Sequence, residues 1–119
     1  DVVLLASGTA ALEAMLCKRP MVVGHRIAGL TYAIVRAFGL LKSAHVSLPN
    51  ILAGKPLIPE LLQDNCTVDA VHAALLRWFR DRDAEAALQP EFLAIHETLR
   101  RDASARAADA IASLLPARA

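Results

Sequence analysis

An α/β layer built on a parallel sheet is the architecture this sequence predicts, and three observations carry that expectation. Short apolar runs at residues 2–6 and 21–24 have the length and composition of buried strands. Segments with helical periodicity follow each of them. The hydrophobic fraction is 55% with only 4% aromatic, so Ala, Leu, Val and Ile must fill the interior, which suits helices laid against a sheet.

The first run ends in Ser7-Gly8-Thr9, the pattern of a strand buried on both faces and closed by a turn. A helix follows, with Leu12, Met15 and Leu16 at helical spacing and Lys18, Arg19 and Pro20 as a cationic last turn and a stop. After the second strand, residues 29–41 read as a helix with Leu30, Ala33, Ile34 and Ala37 on one face, leading to a short third strand at 45–47. Parallel strands need crossovers of this kind, and β-α-β-α-β is the order of a Rossmann-like sheet with helices on both faces. Residues 48–63, with three prolines and Gly54, read as a loop containing a helical turn or two.

From Thr67 onward the chain reads as helical. Thr67 is the N-cap, Asp69 lies in the first turn, and Val68, Val71, Leu75 and Phe79 form the expected stripe. Pro90 suits the first turn of a helix carrying Phe92, Ile95, His96 and Leu99. Asp102 is placed to cap a last helix buried through Ala107, Ala108, Ile111, Leu114 and Leu115. The organisation expected is one domain, with residues 1–66 as a partial Rossmann-like region and 67–119 as helices of the same domain.

Thirteen Lys and Arg against twelve Asp and Glu give a formal charge of +1, so no overall field draws in nucleic acid or an anionic bilayer. Cys17 and Cys66 form no C-x-x-C pair and fit a reducing cytoplasm. The chain opens on Asp1 with no basic leader, and the next residues already read as a strand, so it is expected to be a piece of a longer protein. Residues 29–41 are too short and too charged, with Arg36 among them, to span a bilayer. The four His and two Cys never reach metal-ligand spacing, so no metal is expected, and no other cofactor is expected either.

Chemistry is expected first at Ser7-Gly8-Thr9-Ala10-Ala11-Leu12-Glu13, where a strand ends and a helix begins. Unpaired amides and the positive end of the helix dipole attract a phosphate there, Gly8 permits close backbone approach, and the Ser7 and Thr9 hydroxyls can donate. Glu13, one turn on, can accept from a pair of ribose hydroxyls if it points back to the loop, or else is solvated. Arg26 follows the second strand and is a phosphate or sugar contact at the same edge. Ser47, Asn50, Glu60 and Gln63 offer hydrogen-bonding groups suited to sugar hydroxyls and amides. Asn50 is read as ending the third strand at a cleft edge, where it is also a catalytic candidate; otherwise it caps a turn. His96 shares a stripe with Phe92, Ile95 and Leu99 and reads as a packed histidine.

Four ordered motifs carry a resemblance over nearly the whole chain: residues 6–13 (ASGTAALE), 20–24 (PMVVG), 46–54 (VSLPNILAG) and 59–63 (PELLQ). Together they resemble the C-terminal half of the lipid-A-disaccharide synthase family. The likeness extends more weakly to Phe92, Leu93, His96 and the last helix, and it departs at His25, where the family often has Tyr, and at Ile51, where Leu is common. The resemblance implies a two-domain GT-B glycosyltransferase whose C-terminal domain holds a UDP-sugar through Ser7, Gly8, Thr9, Glu13, Arg26, Ser47, Asn50, Glu60 and Gln63. It implies inverting transfer of 2,3-diacylglucosamine from UDP onto 2,3-diacylglucosamine 1-phosphate, without a metal, with the general base in an N-terminal domain outside this chain. It also implies a cytoplasmic protein working at the inner face of the membrane, and it leaves open peripheral contact through residues 29–41 and a homodimer. The competing readings are another UDP-sugar transferase or epimerase, or a non-catalytic helical assembly module.

Overall fold

The computed structural model describes residues 1–37 and 45–114. Three parallel strands lie in the order β1 (Val3–Leu5), β2 (Met21–His25), β3 (Glu60–Leu62). Helix α1 (Thr9–Leu16) connects the first two strands, and α2 (Gly29–Ala37) and α3 (Leu48–Ala53) lie between the second and third. A 3-10 turn (Gln63–Asn65) leads into α4 (Val68–Arg80), α5 (Arg82–Leu99) and α6 (Ala103–Leu114). The fold is the expected α/β class with a parallel sheet.

The third strand is not where the sequence reading put it. Residues 45–47 form no strand, and the segment expected to be loop supplies both α3 and β3. Pro49 sits in the first turn of α3, where a missing N–H costs nothing, and Gly54 ends that helix at φ 66. Glu60-Leu61-Leu62 then pairs with Val23-Gly24-His25. Of the expected second helix, residues 38–41 lie outside the described residues, and Ala33 and Ala37 are exposed.

β2 is the centre of the sheet. Met21, Val22 and Val23 are all fully buried, and successive strand side chains point to opposite faces, so both faces of β2 are covered. β1 was expected to be buried on both faces, yet Leu4 is 51% exposed, because β1 is an edge strand and nothing among the described residues lies over that face. Ala11 and Met15 of α1 pack into the core with Trp78 of α4 and Leu88, Phe92 and Ile95 of α5. Trp78 buries its ring and donates its indole N–H to the Met21 carbonyl at 3.1 Å, which satisfies the polar end of the side chain.

α1 ends as a Schellman motif. Lys18 takes a left-handed φ of 56°, its N–H bonds the Met15 carbonyl, and the Arg19 N–H reaches back to Ala14. Lys18 then touches α5 twice, through its ammonium on His96 Nδ1 and through its carbonyl, which accepts from Gln89. His96 is thus a half-buried packing residue with a polar partner, close to the expectation.

Among the described residues, the helical region has the expected three helices with different faces and starts. Thr67 caps α4, its hydroxyl accepting from Ala70 N at 3.2 Å. The buried stripe, however, runs through Val71, Ala74, Leu75 and Trp78, while Val68 is 85% and Phe79 61% exposed. The reading placed Phe79 inward, but Trp78 occupies that role, since its ring and N–H both find partners on the sheet. α5 begins at Arg82, not Pro90, because Asp81 caps it by accepting from Ala84 N at 2.9 Å. Pro90 lies inside α5 on an exposed face, where the Ala86 carbonyl that loses its partner can be hydrated. α6 is exposed along its length, Leu114 at 84%, so the burial expected for Ala107, Ala108, Ile111 and Leu114 is absent, and Leu115 lies outside the described residues. Asp102 precedes α6 at φ 49, with its carbonyl accepting from Arg106 N.

Candidate functional site

The carboxyl ends of three parallel strands bring together the turns after β1, β2 and β3, which is where sheets of this kind receive ligands. At the first turn, Gly8 occupies the N-cap of α1 at φ 140, with no side chain capping the helix. A Cβ built on Gly8 would meet no atom within 4 Å, so glycine is required there by conformation and not by crowding. Gly8 and Thr9 are exposed, and Ala11 N bonds the Gly8 carbonyl at 3.2 Å. The start of α1 therefore offers open amides and the positive end of an eight-residue helix to an anion. Glu13 is exposed on the same helix, and Arg26 is exposed just beyond β2.

The remaining sequence candidates are committed to neighbouring backbone and to one another. Ser7 donates its hydroxyl to the Val46 carbonyl at 3.3 Å. Ser47, fully buried at the N-cap position of α3, gives its amide to Glu60 Oε1 at 2.7 Å and its hydroxyl to the same oxygen. The Val46 amide also lies on the Glu60 carboxylate, at 3.2 and 3.3 Å from its oxygens, and His45 Nδ1 is 3.9 Å away. Gln63, at φ 50, closes a two-way clamp on Ile27, accepting from its N–H at 2.7 Å and donating to its carbonyl at 3.2 Å.

Asn50 departs most from expectation. It was placed at a cleft edge, but it is 1% exposed in α3. Its Oδ1 accepts from Leu57 N at 2.8 Å and Ile58 N at 3.0 Å, and its Nδ2 donates to the Ile58 carbonyl at 2.9 Å. The misplaced third strand is the cause, since Asn50 lies in α3 and its amide turns to residues 57 and 58, which lead into β3. The arrangement also depends on groups no side-chain reading could find, the backbones of Ile27, Val46, Leu57 and Ile58. Among the described residues, no group of three or more His, Cys, Asp or Glu is placed to hold a metal, and no helix is long and apolar enough to cross a membrane.

The family model described as lipid-A-disaccharide synthetase matches residues 1–112. The chain belongs to that family. It is similar to lipid-A-disaccharide synthase of Xanthomonas axonopodis pv. citri, with 64% identity over 99% of this chain and 27% of the relative. Against the synthase of Xylella fastidiosa strain 9a5c the identity is 58%, over 99% of this chain and 31% of the relative. The chain thus spans about a third or less of the curated relatives it matches. The matched stretch includes every candidate named above, so the open α1 turn and the hydrogen bonds of Asn50, Glu60 and Gln63 lie inside the family segment.

Proposed function

We propose that this chain forms the donor-nucleotide face of a longer glycosyltransferase that moves 2,3-diacylglucosamine from UDP onto 2,3-diacylglucosamine 1-phosphate, with inversion, to give a β-1,6-linked disaccharide. The observation that supports the reading best is the uncapped start of α1 behind Gly8, at the carboxyl edge of a parallel sheet in a lipid-A-disaccharide synthetase segment. In this reading the amides after Gly8 and the Thr9 hydroxyl hold the diphosphate, and Arg26 adds a charged donor. These groups stabilise the negative charge that grows on the departing diphosphate as the sugar bond breaks. Glu13 accepts from the ribose hydroxyls. Ser7, Ser47, Asn50, Glu60 and Gln63 build the edge on which those groups stand.

Residues 1–66 then serve as the nucleotide-binding region and 67–119 as helices of the same domain, with the general base supplied by a second domain. That domain is also the natural cover for the open face at Leu4 and for the apolar residues of α6. Because both substrates are acylated, the reading places the protein at the inner face of the cytoplasmic membrane. Calorimetry of UDP binding to the full-length protein tests it. Saturable binding is expected, and Glu13→Ala should weaken it by about 1–3 kcal/mol, the cost of removing one partner of a hydrogen bond. Absence of UDP binding to the wild-type protein would refute the reading, and an unchanged affinity in the variant would return Glu13 to the solvent.

A further inference from the structure

The Glu60 carboxylate stands at the start of β3 with 9% of its side chain exposed, and it gathers three donors from two consecutive residues: the Val46 amide, the Ser47 amide and the Ser47 hydroxyl. The carbonyl of Val46, on the opposite side of the same short segment, accepts from Ser7. Residues 46 and 47 therefore act as a strut between a buried acid on one strand and the turn after another. Ser47 is fully buried, so without the acid its amide would be left unpaired away from water. The same segment holds the Val46 carbonyl that Ser7 bonds, so freeing it from the acid would also loosen the contact with Ser7. Ser7 directly precedes Gly8, whose φ of 140° sets the direction of the first amides of α1.

The geometry points to Glu60 as a positioning residue, one that fixes the Ser7-Gly8-Thr9 turn through the backbone of Val46 and Ser47 and reaches a bound diphosphate only through that turn. This assignment rests on the reading of the turn as the diphosphate site. It differs from the direct sugar contact that the sequence pattern suggests for Glu60, and the two roles separate in the absence of ligand. A direct contact leaves the empty turn as it was, whereas a positioning residue holds it before any ligand arrives.

The test is Glu60→Gln in the full-length protein, which keeps the side-chain length but removes the charge and replaces one carboxylate oxygen by an N–H donor, leaving the Val46 and Ser47 donors a single neutral acceptor. In the UDP-free variant, amide hydrogen exchange should quicken both at 46–47 and at 7–10, and calorimetry should find the UDP Kd raised about tenfold or more, the loss expected for charge-assisted hydrogen bonds. Ser47→Ala removes one donor and should shift both readouts in the same direction by less. It decides the matter by the same criteria if Glu60→Gln does not fold. A raised Kd with unchanged exchange at 7–10 would make Glu60 a ligand contact and overturn the assignment. Quickened exchange with an unchanged Kd would make it scaffold alone and overturn it as well. If the wild-type protein binds no UDP, the nucleotide reading fails separately, and exchange at 7–10 still decides whether Glu60 sets the turn.

Discussion

Replacing Asn50 separates a structural account of this edge from a purely ligand-binding one. Its side chain makes three hydrogen bonds to backbone, at 2.8, 3.0 and 2.9 Å, and all three go to the two residues that precede Pro59 and β3. At a net value of about 1 kcal/mol each, Asn50→Ala should cost roughly 3 kcal/mol. The figure is not softened by water, because Ile58 is itself buried and its freed N–H and C=O have no ready replacement. Asn50→Leu keeps much of the volume and supplies no polar atom, so it should lose a similar amount, showing that the hydrogen bonds and not the cavity set the cost. Urea unfolding of the full-length variants, with the slope held constant, measures both. A stability loss below about 0.5 kcal/mol together with a large fall in turnover would refute the reasoning and put Asn50 back at the ligand.

Other outcomes follow from the same geometry. Gly8→Ala should destabilise by about 1–3 kcal/mol through its φ of 140° alone, since the new methyl meets open space, and it should weaken UDP binding in parallel; a neutral result in denaturant would remove the conformational argument. Trp78→Ala should cost about 3–5 kcal/mol by calorimetric melting, because it removes a buried ring and leaves the Met21 carbonyl without its donor. Phe79→Ser, one residue away on the exposed side of α4, should stay within about 0.5 kcal/mol in the same experiment, and a large loss there would mean that this face is covered in the full-length protein.

What could be read from the sequence follows a physical pattern. The turn after β1, the central strand, the Thr67 cap and the parallel class were legible because each rests on local chemistry: a glycine after an apolar run, three successive buried apolar residues, a hydroxyl before a helix. The third strand was not, since Glu60-Leu61-Leu62 is too short to show a period and opens on a charged residue, while His45-Val46-Ser47 looks equally extended. That one displacement moved Asn50 from the interior to an imagined edge. Pro90 misled for a different reason, as proline is tolerated inside a helix when the carbonyl it orphans faces water, and exposure is a tertiary property. The family motifs picked out the residues that shape the edge, but they could not distinguish a side chain that touches ligand from one that holds backbone. Glu60 and Gln63 are polar, clustered and near the site, and both spend their hydrogen bonds on the chain itself.

The uncapped start of α1 is the proposed anion site. Hydrogen exchange of the full-length wild-type protein, with and without UDP, addresses it most directly. Added UDP should slow exchange at residues 8–10, the first amides of α1, with a smaller effect at 25–27 after β2, and the protection should saturate with the calorimetric Kd. Saturable UDP binding that leaves residues 8–10 unprotected would contradict it.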